Sequence, residues 1–227
     1  MQLPSEIAVM TLPNVILFPQ AMMPLFIFEP RYRQMLAVAL ESHRMFSVAM
    51  QKPGRVREAP CAVAGLGLIR ASVANQNGTS NLILQGIARV ELGEAVQTKP
   101  YRIHTIRPLL AEDCAGSALG GLTKTVRTLV RARLKQGLQL PPQVMKKLAE
   151  ANGGVDLPAL NSFSLEQILK YLEEIEDPEQ IVDIVSHTLL TIPTERQKIL
   201  ETIDLEKRLE KLVRFLVAEI ERHRDTD

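Results

Sequence analysis

Apolar positions in the first hundred residues fall into short runs separated by proline, and that pattern predicts strands. Ile7–Leu12, Val15–Phe18 and Met23–Phe28 are three such runs, with Pro13 and Pro19 between them. Pro30 then stands where a helix can begin, because the amide hydrogen it lacks has no partner in a first turn. Tyr32, Met35, Leu36, Ala39 and Leu40 follow at helical spacing and predict an amphipathic helix ending near Ser42. Phe46–Gln51 predicts a further strand and Lys52–Pro60 a polar loop. Gly65–Val73 and Leu82–Val90 flank Asn75-Gln76-Asn77-Gly78-Thr79, where Asn-Gly supplies the positive φ angles of a tight hairpin return. Tyr101–Ile106 closes the series, so the first half reads as a small twisted sheet or partly closed barrel with one helix.

From about Cys114 the period becomes helical. Leu122, Val126, Leu129, Val130 and Leu134 form one stripe and Lys124, Arg127, Arg131 and Lys135 the opposite one, with Arg133 caught on the apolar side. Pro141 opens a short helix through Ala151. Ser164 with Gln167, Asp177-Pro178 with Gln180, and Thr194 with Gln197 are capping-type starts. The last helix places Leu205, Leu209, Leu212, Val213, Leu216 and Ile220 on one face, with Asp204 to Arg208 and Glu210 to Arg214 as i,i+4 pairs. Pro108, Gly116, Gly120 and Gly121 mark a boundary. The expected architecture is α+β, a β domain over residues 1–113 and an all-α helical bundle over 114–227.

Composition narrows the function classes. The 227 residues carry 27 basic and 26 acidic side chains, so no global field draws the chain to polyanions. Ile7–Phe28 is free of charge over 22 residues, but prolines interrupt it and no basic residue precedes it. Short strands explain that run better than a membrane span or a signal, and the chain is expected to be soluble and cytoplasmic. Cys61 and Cys114 fit neither a zinc knuckle nor a CxxC pair, and read as two buried thiols in a reducing compartment.

Motifs for catalysis are missing. There is no GxxxxGK[ST] phosphate cradle. Gly65-Leu66-Gly67 has Arg70 at the third glycine of a dinucleotide fingerprint and leads into a strand. No GxSxG elbow and no HExxH occur, and His43, His104, His187 and His223 are scattered. The acidic run Glu173, Glu174, Glu176, Asp177, Glu179 straddles a helix end and start, where solvation and helix-start electrostatics account for it. No cofactor, metal or catalytic residue is expected.

Two skews remain. Seven basic residues and no acid lie between Cys114 and Ala149, while nine acids and one base, Lys170, lie from Glu150 to Asp183. Packing of these segments as neighbours explains that better than a nucleic-acid face, since stacking aromatics are nearly missing from the basic stretch. Seven of the eight methionines lie in the first fifty residues. Met22-Met23-Pro24 follows the Pro19-Gln20 turn, where flexible apolar side chains at a loop edge could meet varied partners.

Several of these segments together resemble the amino-terminal domain of Lon proteases. The resemblance rests on Thr11-Leu-Pro-Asn-Val-Ile-Leu-Phe-Pro-Gln-Ala-Met-Met-Pro-Leu-Phe-Ile-Phe-Glu-Pro-Arg-Tyr32, on the hairpin with Leu84-Gln-Gly-Ile-Ala-Arg-Val90, and on Gln197-Lys-Ile-Leu-Glu-Thr-Ile-Asp-Leu-Glu-Lys-Arg-Leu-Glu-Lys-Leu212. It covers nearly the whole chain in order, without the ATPase and peptidase modules of a full Lon protease, as in a stand-alone member of the family. It implies a PUA-like β domain followed by a helical bundle. It also implies non-catalytic recognition of unfolded or tagged polypeptide segments, or an adaptor role beside an ATP-dependent protease. Such recognition needs apolar side chains left in water, and Met22, Met23, Pro24 and Leu25 are the expected contact residues. The rival reading is an RNA-binding PUA-like module using Lys124, Arg127, Arg131 and Lys135, which added salt would weaken steeply.

Overall fold

A computed structural model describes residues 3–110, 117–136 and 174–224. Its elements are β1 (Glu6–Leu12), β2 (Met22–Ile27), α1 (Pro30–Glu41), β3 (Met45–Met50), β4 (Val63–Ala74), β5 (Ser80–Gln97), β6 (Arg102–Leu109), α2 (Ser117–Lys135), α3 (Pro178–Leu189), α4 (Pro193–Leu200) and α5 (Leu205–Arg224). The architecture is α+β, sheet first and helices after. The six strands run in the order β2-β5-β4-β3-β1-β6, and β6 returns to pair with β5, so five of them form a partly closed ring. Only β1 and β3 pair in parallel, which requires the crossover that carries β2 and α1.

Each sheet face has its own core. Ile7, Val9, Met45, Ala49, Ala64, Leu66 and Val90 fill the inside of the ring. The other face packs against α1 and the helical half through one larger cluster that includes Phe18, Met35, Phe46, Leu84, Val126, Val185, Leu209 and Leu212. The expected division at residues 113/114 lies outside the described residues, as do Cys114 and the helix starts at Pro141 and Ser164.

Pro30 opens α1 as expected, and Tyr32, Met35, Leu36 and Ala39 are its buried stripe. The charge-free run Ile7–Phe28 contains no helix. Val15–Phe18, expected as a strand, is an irregular segment lying flat on the sheet, with Ile16, Leu17 and Phe18 buried. Pro13-Asn14 and Pro19-Gln20 bracket it as turns in which Asn14 and Gln20 take positive φ. Its close approach explains two strand glycines. A Cβ on Gly65 would lie 2.0 Å from the Leu17 carbonyl oxygen, and one on Gly86 would lie 1.9 Å from that of Phe18. Just after the segment, the Gly86 carbonyl accepts from the Gln20 amide at 2.9 Å and the Gly86 amide donates to the Ala21 carbonyl at 2.9 Å, which fastens its end to β5.

Further local details depart from expectation. The β4–β5 return needs only one positive φ, at Gly78, because a type I turn from Asn75 precedes it. Asp177 caps α3 by accepting from the Glu179 amide at 2.9 Å, as its position predicts. Thr194 does not cap α4, whose N-cap is Ile192; Gln197 is instead buried and donates to the Val63 carbonyl at 2.9 Å, tying helix to sheet. Arg208 turns away from Asp204 into the interior, and Lys207 takes up the Asp204 carboxylate.

Candidate functional site

The hairpin of β4 and β5 outruns the ring. Strand β3 pairs with β4 only from Val48↔Gly65 to Met45↔Leu68, whereas β4 and β5 stay paired out to Ala74↔Ser80. Strand β2 pairs with the projecting part of β5, from Met22↔Gln85 to Ile27↔Ser80. A three-stranded ribbon, β2–β5–β4, therefore extends past the ring. One of its faces, with Met23, Ile27, Ile69, Leu82 and Leu84, belongs to the larger core. The other face is open.

Cross-strand register sets the rows of the open face: Pro24, Ile83 and Ala71 form one, Phe26, Asn81 and Val73 the next. Pro24, Phe26, Ala71, Val73 and Ile83 line a shallow groove. Met22, Phe26 and Val73 are 51%, 54% and 64% exposed. Phe28, at 59%, stacks on Phe26 with ring centroids 5.9 Å apart. Single exposed apolar residues are ordinary, but a contiguous run of them on one sheet face is the mark of a contact surface.

A second unusual place lies where the helices meet the sheet. Arg89 on β5 and Asp183 on α3 form an ion pair with both side chains buried. Glu179, one turn earlier on α3, accepts from Arg89 at 3.1 Å and from Arg208 on α5 at 2.8 Å. Arg208 is satisfied further by the Thr202 and Ile203 carbonyls, each at 2.8 Å. Burial pushes the Asp183 carboxyl up to about 6, with Arg89 and Arg208 acting in the opposite direction. Burial likewise lowers Arg89, against the pull of Asp183. Nearby His187 is pushed down to about 4 by burial and by Arg196. Two cations and two carboxylates from three elements thus hold the sheet to α3 and α5, a bonding role in place of the solvated one expected for Glu179.

The model of one family, the ATP-dependent protease La (LON) substrate-binding domain, matches residues 6–218. The chain belongs to that family. The Lon protease of Dictyoglomus thermophilum is 21% identical over 222 residues, covering 96% of this chain and 25% of the relative. The chain spans about a quarter of the length of the Lon proteases it matches. Among solved structures, the amino-terminal domain of the Mycobacterium avium complex Lon protease superposes with a TM-score of 0.67 at 16% identity, over 93% of this chain and 98% of that one. The Lon N-terminal domain protein from Xanthomonas campestris does so with 0.62 at 15% identity, over 93% and 99%. These likenesses fix the fold. The match to the family is confined to the LON substrate-binding domain, a substrate-recognition module.

Within this LON-family fold the four expected contact residues are not one loop-edge cluster. They lie on β2, and strand alternation divides them. Met22 and Pro24 face water on the open ribbon, Leu25 is half-buried, and Met23 is buried in the larger core. Phe26, Phe28, Val73 and Ile83 complete the face and escaped the sequence reading. The signal for Phe26 and Phe28 was that both alternating sets of residues 22–28 are apolar, one set more than a single core needs. The basic row is on α2, with Lys124, Arg131 and Lys135 exposed, while Arg127 donates to the Ile175 carbonyl at 2.6 Å. Arg133 is buried, its Nη2 2.6 Å from Nε2 of His223. Among the described residues no helix is long and apolar enough to cross a membrane, and no group of three or more His, Cys, Asp or Glu is placed to hold a metal ion.

Proposed function

We propose that this chain works by contact, taking apolar stretches of other polypeptides onto the open face of the β2–β5–β4 ribbon, as a non-catalytic recognition module or an adaptor for an ATP-dependent protease. One observation carries the reading: Met22, Pro24, Phe26, Phe28, Ala71, Val73 and Ile83 form an apolar face around Asn81, on a ribbon whose other face is already committed to the core. Burying half-exposed Met and Phe side chains against a partner supplies the hydrophobic driving force, on the order of 1 kcal/mol for each. A ribbon anchored along its back presents that surface without ordering cost, which favours weak, sequence-tolerant capture.

The test is binding of a permanently unfolded, fluorescently labelled protein to the wild type and to a Met22→Ser, Phe26→Ser double variant. The double variant is expected to bind about tenfold or more weaker at unchanged melting temperature. Unaltered binding with unchanged stability would remove the face from consideration.

A further inference from the structure

Charge near the groove is mostly basic, the Glu29 carboxylate next to Phe28 being paired with Arg31. Between Glu58 and Glu91 the chain has no acid, and the cations there are Arg70 and the buried Arg89. Arg70 is the bulged residue of β4, beside the Met22–Gln85 row. It is exposed, and its Nε donates to Oε1 of Gln85 at 2.5 Å. Arg44 stands next to it, with Nε and Nη2 3.4 and 3.5 Å from the Ile69 carbonyl oxygen. At the far end, Arg33 of α1 reaches over the hairpin tip. A Cβ on Gly78 would lie 2.0 Å from its Nη2, so the guanidinium rests on that turn. Arg33, Arg44 and Arg70 have no carboxylate partner among the described residues. Arg31, by contrast, is neutralised by Glu29 and Glu58.

We infer that the ribbon selects apolar segments flanked by acidic residues, the groove taking the apolar block while Arg70 with Arg44 at one end and Arg33 at the other take the flanking carboxylates. This rests on the contact reading proposed above and adds the class of segment to it. Spacing follows from the strand. From the Met22–Gln85 row to the Ile27–Ser80 row is five residues of β2, or roughly 17 Å at ~3.3 Å per residue. An extended segment therefore meets both ends when about five apolar residues separate its acids. Exposed ion pairs are individually weak and screened by salt, so the discrimination is modest and belongs to low ionic strength.

Three labelled peptides share one five-residue apolar block, flanked on both sides by Asp-Glu, by Lys-Lys or by Ser-Gln. At low salt the acidic peptide is expected to bind about fivefold tighter than the neutral one and the basic peptide weaker than either, with the differences collapsing in 0.5 M salt. Arg33→Gln with Arg70→Gln should level the three affinities, and Arg33→Glu with Arg70→Glu should reverse their order. Both pairs are surface changes whose folding is checked by circular dichroism. Equal affinities of the three peptides for the wild type would overturn the selectivity and leave the contact reading standing. Failure of all three to bind would overturn both.

Discussion

The ribbon and the helix–sheet junction are both exceptions to the rule that apolar groups go inside and charges outside, and they are exceptions of opposite kinds. At the junction, Arg89, Asp183, Glu179 and Arg208 are carried inward, and each finds an opposite charge. On the ribbon, Met22, Phe26, Phe28 and Val73 are left outward, with nothing among the described residues to cover them. Burying charge costs several kcal/mol per ion, and the pairing only offsets it. That arrangement suits a joint of defined geometry, since a shift of α3 on β5 would separate Arg89 from Asp183 and Glu179. Exposed apolar surface costs less but leaves the molecule open to association. One region fixes how the two halves sit, and the other is free to meet what arrives.

The largest expected effect comes from breaking the joint. Arg89→Ala removes the hydrogen-bonded partner of a buried carboxylate and should cost about 3–5 kcal/mol in urea unfolding. A cost below about 1 kcal/mol would mean the junction is hydrated and not a true interior. Next come the two neighbouring methionines. Met23→Ser, in the core, should lose about 2–4 kcal/mol, whereas Met22→Ser, one residue earlier, should stay within about 0.5 kcal/mol. Equal losses at the two positions would show that the open face is not open. Smaller still is Phe26→Ser, which should leave the melting point in place while weakening capture of an unfolded protein several-fold.

The pH effect is the most delicate. Asp183 titrates near 6 when folded, against an ordinary 3.8, so between those values the folded state holds a proton that the unfolded state has released. Stability from this group is therefore full below pH 4 and falls as pH rises through 6. Asp183→Asn removes that dependence, so wild-type stability measured relative to this variant should decline from pH 4 to 7. A rise across the same window would place the folded carboxyl below its ordinary range.

How legible these regions were in the sequence differed for a physical reason. Local features were readable: Pro30 and the Tyr32–Ala39 stripe for α1, Asp177 as a cap, and the hairpin around Gly78 all follow from interactions within a few residues. The junction was not, because Arg89 and Asp183 lie 94 positions apart and no local periodicity links them. Arg133, isolated on an apolar stripe, was a clue of the right kind, yet Arg208 gave none, having a plausible partner four residues away in Asp204. The Val15–Phe18 run was misread because burial without a ladder looks like a buried strand in sequence. Only the glycines opposite it, Gly65 and Gly86, reveal the backbone crossing. The face was half visible, through Met22 and Pro24, and its other half came from strands whose register only the fold supplies.

That crossing segment also sets a load path. It is bonded to the sheet at Gly86, touched by Arg196 of α4 at the Ile16 carbonyl, and met by His187 of α3 at the Phe18 ring, and it runs directly into Met22. Through this segment β2 is thus tied to both sheet and helices. A pull on the ribbon is therefore expected to load sheet and helices together.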